Sequence, residues 1–215
     1  MRVSVVMASF LGVLGGNERP NMDKKFVRSV KSFLSQTHQD KELIIVSDGC
    51  VKTNELFEQH FSNEPSVKLI RSNKLDAYSG GIRQQGLMVA TGDMICYLDN
   101  DDVIAKDHVK TIHDNFDYDN FDLVYYDDYL VLDTSFKKLY TRYVEPRWGS
   151  IGTSSHAHVN FYRHPERSKG RELLWPTGYS HDFTWISTII GTGARFKKLD
   201  AKPQYLVAHY GNADF

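Results

Sequence analysis

Four short apolar segments alternate with segments of helical spacing over the first 116 residues of the chain. The apolar segments fall at 2–9, 41–49, 67–73 and 94–98. Each contains several Val, Ile, Leu or Met residues in a nearly continuous run, which is typical of strands that are buried on both faces. Repeated alternation of strand and helix predicts an α/β fold in which helices cover both faces of a mostly parallel sheet.

The segments between these strands carry apolar residues three or four positions apart, as a helix that packs on a sheet requires. Asn21 or Asp23 is expected near the start of the first helix, and Ser79 is expected to cap the third. These helices are predicted from Phe26, Val30, Phe33 and Leu34, from Leu56, Phe57 and Phe61, from Ile82, Gly86, Val89 and Ala90, and from the segment 105–116.

The second half of the chain is less regular. Residues 121–132 are rich in strand-forming side chains, whereas the segment after residue 133 is typical of loops and short strands. Helical periodicity returns over 180–191 through Phe183, Ile186 and Ile190.

Length and composition indicate one globular domain without a nucleic-acid partner. The chain has 215 residues, 41% of them hydrophobic, and a formal net charge of -1. Its two cysteines are far apart and lack metal-like spacing, so reduced thiols and a cytoplasmic location are expected. No apolar run is long enough to span a bilayer, and any membrane contact is expected to be peripheral.

Polar residues follow each predicted strand. Ser9, Asp48 and Asn73 stand at or just after three strand ends, and the cluster Asp99-Asn100-Asp101-Asp102 follows the fourth. Because ligands of such sheets bind beyond the carboxyl ends of the strands, these side chains are expected to converge on one edge.

Three carboxylates at one strand end repel one another unless a cation or strong donors neutralise them. Asp99 and Asp101 are therefore candidates to bind a divalent ion such as Mg²⁺ or Mn²⁺, which prefers carboxylate oxygens. The alternative is a solvated turn in which Asp102 caps the next helix. That alternative explains Asp102 but not the other two carboxylates.

Two further residues at this edge have both a functional and a structural interpretation. Asp48 can accept hydrogen bonds from a nucleobase or a ribose, or simply form an Asp-Gly turn. Arg83 can bind a phosphate through two parallel hydrogen bonds, or form a surface salt bridge.

Candidate residues near the end of the chain are similarly ambiguous. Asp182 begins the last predicted helix and is either a catalytic carboxylate or a helix cap. His181 and Asp128 are the next candidates for a base, and His209 is either a metal ligand or structural. Some aromatic residues between 133 and 180 would suit sugar stacking, although core packing is the commoner role: Tyr140, Tyr143, Trp148 and Trp175.

Taken in order, SVKSFLSQTHQDKELIIVSDG, ATGDMICYLDNDD, GYSHDFTW and YLVAHYGN resemble segments of the inverting glycosyltransferases of family 2, which have the GT-A fold. The first two matches are specific and the last two are weaker. The chain departs from the family in three places. Phe10 replaces the usual Tyr after the first strand, Ser47 replaces the first Asp of Asp-Asp-Gly-Ser, and His181 replaces the usual Glu.

The resemblance implies a nucleotide-diphospho-sugar donor, with uridine diphosphate favoured, and a saccharide or lipid-linked acceptor. It implies that residues 1–116 bind the donor and that residues 117–215 bind the acceptor and supply the base. The roles it implies for single residues are donor binding by Ser9, Asp48, Arg83, Asp99 and Asn100, Mn²⁺ or Mg²⁺ binding by Asp101 and His209, and base catalysis by Asp182.

Two other classes of protein remain open. A nucleotidylyltransferase also has alternating strands and a metal-binding Asp, and the glycines of LGVLGGNERP suit its triphosphate loop. A non-catalytic nucleotide-sugar-binding relative would need Asp99 and Asp101 but not Asp182.

Overall fold

The computed structural model describes residues 1–13, 20–75, 78–133, 135–202 and 204–208. Its α-helices are α1 Met22–Leu34, α2 Val51–His60, α3 Gly80–Val89, α4 His108–Asn115 and α5 His181–Gly191. Its strands are β1 Val3–Ser9, β2 Lys41–Asp48, β3 Val67–Ser72, β4 Met94–Tyr97, β5 Val103–Ile104, β6 Leu123–Tyr125, β7 Asp128–Val131, β8 Leu139–Arg142, β9 His156–Val159, β10 Phe196–Lys198 and β11 Tyr205–Val207. Short 3₁₀ helices cover Thr153–Ser155 and Pro165–Ser168.

Seven strands form one mixed sheet in the order β10-β6-β9-β4-β1-β2-β3. Neighbouring strands run parallel except on either side of β9, which is antiparallel to β4 and β6. All but one of the residues of β1 and of β2 are buried, so both faces of the sheet centre are covered. The predicted fold class, an α/β domain built on a mostly parallel sheet, is confirmed.

A second sheet of four short strands has the order β5-β11-β7-β8. It draws its strands from the loop after the acidic cluster, from the middle of the chain and from near the end of the described residues. Strand content was predicted for 121–132, and short strands of unspecified position were predicted after residue 133, because strands of two to four residues carry too little periodicity to locate.

Helix α3 packs unusually close to the central strands. A Cβ atom added to Gly86 would lie 2.5 Å from Cγ1 of Val6 on β1 and 3.3 Å from Cγ2 of Val46 on β2. The missing side chain therefore lets the helix approach the sheet and fixes the position of residues at the helix start.

A buried carboxylate joins several strands near the amino end of the sheet. Glu42 accepts hydrogen bonds from Ser4 Oγ at 2.6 Å, from Thr91 N at 2.7 Å and from Lys68 Nζ at 2.8 Å. Burial alone would raise its pKa, but these donors outweigh burial and lower the pKa to about 2. Glu42 thus remains ionised inside the protein.

Strand β9 places two imidazoles in the core. His158 donates from Nδ1 to the carbonyl of Val159 at 2.7 Å, so its Nε2 accepts from the hydroxyl of Tyr97 at 2.7 Å. Burial lowers the pKa of His158 to about 3 and that of His156 to about 4, so both side chains are neutral at physiological pH.

Helix boundaries agree with the sequence except in their capping. Asn21 precedes α1 in a left-handed conformation with φ 55° and makes no side-chain cap. Ser79 precedes α3, but its hydroxyl accepts a hydrogen bond from Arg83 instead of capping the helix. No helix among the described residues is long and apolar enough to cross a membrane.

Candidate active site

Side chains from β1 and from the acidic cluster meet at the carboxyl edge of the large sheet. Asn100 donates from Nδ2 to Ser9 Oγ at 3.4 Å and to the carbonyl of Phe10 at 3.3 Å. The hydroxyls of Ser9 and Thr53 lie 2.9 Å apart. Ser9 and Asn100 therefore lie together at one edge of the sheet, as predicted.

Asp48 ends β2 at the same edge and faces the loop after β3. Its Oδ1 accepts a hydrogen bond from Leu75 N at 2.7 Å, and its Oδ2 pairs with the ammonium of Lys74. That ammonium also lies 4.4 Å from the centroid of the Phe10 ring. Gly49, with φ 60°, makes the turn that brings this loop against the strand end. Asp48 is thus both a turn residue and a carboxylate paired with the ammonium of Lys74.

Asp99 is held by contacts from distant parts of the chain. Its Oδ2 accepts from Thr153 Oγ1 at 3.0 Å, and its backbone N–H donates to the hydroxyl of Tyr205 at 2.9 Å. Ser29 on α1 donates to its carbonyl oxygen at 2.9 Å. These contacts fix the start of the acidic loop.

The two carboxylates that follow have different surroundings. Asp102 is 1% exposed, and its Oδ1 accepts a hydrogen bond from Ala208 N at 2.7 Å. It does not cap α4, since that helix begins after Asp107. Arg28 on α1 donates from Nη2 to the carbonyl of Asp101 at 2.5 Å, and its charge is attracted by both carboxylates.

Arg83 lies buried between two carboxylates. Its Nη2 is 2.6 Å from Asp99 Oδ1, and its Nη1 is 3.9 Å from Asp182 Oδ1. The guanidinium also lies 5.6 Å from the ring centroid of Trp175 and donates to Ser79 Oγ. Burial opposes the charge, but Asp99 and Asp182 more than compensate, so the pKa of Arg83 is raised. Arg83 is therefore not the exposed ion pair that was its structural alternative.

Asp182 lies in the first turn of α5, next to His181. His181 Nδ1 is 2.5 Å from Asp182 Oδ1, and Ser79 Oγ is 3.4 Å from His181 Nε2. The N-cap of α5 is Ser180, and no side chain caps the helix. The carboxylate is thus directed to His181 and Arg83 rather than to the helix end. Burial would raise the pKa of Asp182, but His181 and Arg83 lower it to about 2.

Ser79, Arg83, Asp182 and His181 form a closed circuit of polar contacts at the start of α3 and α5. The indole of Trp175 also borders the His181 ring, with its Nε1 3.2 Å from Nδ1. Ser79, Arg83 and His181 thus fix the orientation of one carboxylate that is 32% exposed. This accessible, ionised and oriented carboxylate is suited to accept a proton from a ligand.

The donor set of the acidic loop fits a metal ion that is shared with a substrate. Within the described ranges, no three or more His, Cys, Asp or Glu side chains are grouped so that they could hold a metal ion. Mg²⁺ usually binds through one or two carboxylates together with substrate phosphates, so Asp101 and a diphosphate would meet its needs. His209, the other predicted ligand, lies outside the described residues.

Several residues of this site were not singled out from sequence. Lys74 follows β3 directly, and its position after a strand end was a usable signal. Thr153 and Tyr205 reach Asp99 only through tertiary packing, so nothing in the local sequence indicates them. His181 was considered only as an alternative base, and its contact with Asp182 gives it an orienting role instead.

Two residues considered from sequence are excluded by burial. Trp175 is 3% exposed and stacks on Trp185 with ring centroids 4.8 Å apart, so it belongs to the core. Asp128 is fully buried and is paired with Arg142 at 2.5 Å, which leaves it unable to act as a base. Tyr140, Tyr143 and Trp148 are exposed.

Comparison with known proteins gives a consistent family match. The family model described as glycosyl transferase family 2 matches residues 17–186. A cholesterol galactosyltransferase of Borreliella burgdorferi is 28% identical over 113 residues, which are 51% of this chain and 31% of that protein. A chondroitin synthase of Escherichia coli is 32% identical over 97 residues, which are 45% of this chain and 14% of that protein. The chain thus spans about a third or less of the length of these relatives.

Solved structures of S. aureus TarS share the fold. The crystal structure of TarS 1-349 matches with a TM-score of 0.73 and 17% identity, covering 97% of this chain and 60% of that one. The same fragment in complex with UDP-GlcNAc matches with a TM-score of 0.73 and 14% identity, covering 100% of this chain and 60% of the other.

Proposed function

The chain belongs to glycosyl transferase family 2, and we propose that it transfers a sugar from a nucleotide-diphospho-sugar to an acceptor hydroxyl with inversion at the anomeric carbon. The observation that carries this proposal is the position of Arg83 between Asp99 and Asp182. A cation that can bind a phosphate and a carboxylate that can act as a base thus lie next to each other at one site.

The donor is bound along the carboxyl edge of the sheet. Asp48 accepts a hydrogen bond from the nucleobase, and Ser9 and Asn100 lie beside the ribose. Asp99 and Arg83 follow toward the diphosphate, where the guanidinium stabilises the charge that develops on the leaving nucleotide. A uridine nucleotide is the favoured donor, because TarS, which shares the fold, has been crystallised with UDP and with UDP-GlcNAc.

Asp101, with His209 as a second candidate ligand, would hold a Mn²⁺ or Mg²⁺ ion against the diphosphate. When bound, such an ion acts as a Lewis acid that neutralises charge on the phosphate oxygens. The contribution of the chain itself is to hold the acidic loop in place through Ser29, Thr153 and Tyr205, so that Asp101 is presented at a fixed position.

Asp182 takes the proton from the acceptor hydroxyl as the oxygen attacks the anomeric carbon. Attack from the face opposite the nucleotide breaks the bond to the diphosphate in one displacement and inverts the anomeric centre. Since the pKa of Asp182 is about 2 without ligand, the carboxylate is ionised at neutral pH. A base positioned in this way contributes on the order of 10²–10⁴ to the rate.

The test compares Asp182→Asn with Asp23→Asn. Each carboxylate lies in the first turn of a helix, so the control reproduces any effect on the helix dipole. Sugar transfer and donor hydrolysis would be followed by UDP release from UDP-sugars with Mn²⁺. Asp182→Asn should bind UDP at least as tightly as the parent, because one carboxylate that competes for Arg83 loses its charge. It should lose roughly 10²-fold or more in turnover, whereas Asp23→Asn should match the parent.

Other outcomes of the same assay distinguish the alternative functions. Parental turnover in Asp182→Asn would remove Asp182 from the chemistry. A parent protein that binds UDP-sugars without ever consuming them would be a non-catalytic relative. Release of pyrophosphate from a nucleoside triphosphate and a sugar phosphate would instead identify a nucleotidylyltransferase.

A further inference from the structure

Two tyrosine rings stand in solvent beside the candidate base. Tyr78 is 58% exposed and Tyr179 is 76% exposed. Their ring centroids are 5.9 Å apart with an angle of 65° between the planes, so the rings form an open corner. Exposed aromatic residues that cluster in this way mark binding surfaces more often than isolated exposed residues do.

The backbone beneath the two rings is tightly held. A Cβ atom added to Gly80 would lie 1.9 Å from the carbonyl oxygen of Pro176, so the two segments are in direct contact there. Trp175 donates from its backbone N to Gln84 Oε1 at 2.8 Å. The exposed rings are therefore attached close to well-packed backbone. Tyrosine also offers a large contact area with only two side-chain torsions to fix.

The corner adjoins Asp182 through His181. The Tyr78 ring centroid is 6.2 Å from that of His181, whose Nδ1 contacts the Asp182 carboxylate at 2.5 Å. Asp48, in contrast, is held by Lys74 and Leu75. The rings of Tyr78 and Tyr179 are thus grouped with the candidate base.

We propose that Tyr78 and Tyr179 form the acceptor platform and that the acceptor presents a pyranose ring, whose C–H face packs on one of these rings. The proposal rests on the proposed function, because it takes Asp182 to be the base. An open corner between two rings suits one sugar ring, and the phenol hydroxyls can bond to sugar hydroxyls. The neighbouring Ser79, Ser180 and His181 are polar, which disfavours a lipid chain as the group bound here.

The experiment measures pyranoside binding and nucleotide binding separately. Saturation-transfer NMR with methyl glucopyranosides, methyl galactopyranosides and N-acetylglucosamine, in the presence of UDP and Mn²⁺, reports the acceptor side. Calorimetric titration with UDP reports the donor side. The variants are Tyr78→Ala, Tyr179→Ala and Tyr179→Phe, compared with Phe196→Ala, which removes a 41% exposed ring from β10 at the edge of the large sheet.

We expect each alanine variant at the platform to weaken binding of the best pyranoside by about 10-fold, with UDP affinity within about 2-fold of the parent. Tyr179→Phe should keep most of the binding, and Phe196→Ala should keep all of it. An equal loss of UDP affinity would assign the rings to the donor. Unchanged pyranoside binding, a loss confined to Phe196→Ala, or no pyranoside binding by a parent that binds UDP would overturn the platform. Failure of the parent to bind UDP would instead count against the proposed function.

Discussion

Arg83 Nη2 lies 2.6 Å from Asp99 Oδ1 while Nη1 of the same guanidinium lies 3.9 Å from Asp182 Oδ1. One buried cation is thus shared by the loop expected to hold the donor and by the carboxylate expected to activate the acceptor. Any ligand phosphate that binds Arg83 competes with both carboxylates, so donor binding changes the electrostatic surroundings of Asp182 directly.

Replacing Arg83 by Lys should weaken diphosphate binding selectively. Lysine keeps the positive charge that Asp99 and Asp182 require, so the protein should stay folded, but it cannot make two parallel hydrogen bonds to a phosphate. We expect a loss of about 10- to 100-fold in UDP affinity and little change for uridine. Calorimetric titration with both ligands measures this, and an equal loss for uridine would point to a general distortion of the site.

Replacing Asp48 by Asn should weaken binding of the nucleoside rather than of the diphosphate. If the carboxylate contacts the base, UDP and uridine should lose affinity by the same factor, about 10-fold or more, and the dependence on Mn²⁺ should not change. Comparison with guanosine diphosphate tests base selectivity. Should affinity for every nucleotide be untouched, Asp48 serves only its turn with Lys74 and Leu75.

Replacing Asp101 by Asn should separate metal-dependent from metal-independent binding. The variant should bind UDP in the presence of Mn²⁺ no better than the parent does without metal, while binding without metal should be the same in both proteins. The thermal midpoint without ligand serves as the check on folding. A variant that responds to Mn²⁺ as the parent does would leave Asp101 with no part in metal binding.

Replacing Glu42 by Gln should destabilise the protein in a pH-dependent manner. A pKa lowered from about 4.5 to about 2 corresponds to about 3 kcal/mol of stability at pH 7. Because the pKa is lower in the folded than in the unfolded chain, this stabilisation is present above about pH 4.5 and is lost as the pH falls through 2. Urea unfolding at several pH values should show that the difference in free energy of unfolding between parent and variant decreases below pH 4.5. A difference independent of pH would mean that ionisation of Glu42 does not stabilise the fold.

Replacing Gly86 by Ala should destabilise the protein although alanine favours helix. The added methyl group would meet Val6 at 2.5 Å, and such overpacking typically costs 1–3 kcal/mol. Gly191, at the end of α5, has nothing within 4 Å of its added Cβ, so Gly191→Ala should be neutral or slightly stabilising. Chemical denaturation measures the stability of the two variants. Similar denaturation midpoints would mean that α3 can shift away from the sheet at little cost in free energy.

The parts of this molecule that were predictable from sequence are those specified locally. The strands β1 to β4 are apolar runs, and each is followed by a helix with a clear apolar face. The carboxylates of the acidic loop stand directly after a strand, so their place at the sheet edge follows from topology alone. Arg83 and Asp182 were predicted to face this site, and the structure brings them together.

The remainder depends on contacts between distant residues. Strand β9 has the sequence HAHV, which reads as polar, and it is a core strand only because Tyr97 and the carbonyl of Val159 satisfy its second histidine. The apolar face of α5 was predicted through Phe183, Ile186 and Ile190, of which Ile186 is fully buried and the other two are partly buried. The fully buried Trp185 is fixed by stacking on Trp175, which comes from a loop without periodicity.

Helix α3 connects the first half of the chain to the segment 175–182. Three residues on one side of the helix contact that segment: Gly80, Arg83 and Gln84. An engineered chimera that receives the corresponding segment of a relative would therefore have to preserve these three contacts as well as the sheet. Libraries that vary the surface around Tyr179 but keep these contacts should leave the packing of α3 against the segment 175–182 unchanged. We expect such libraries to yield variants with new acceptors and an unaltered donor site.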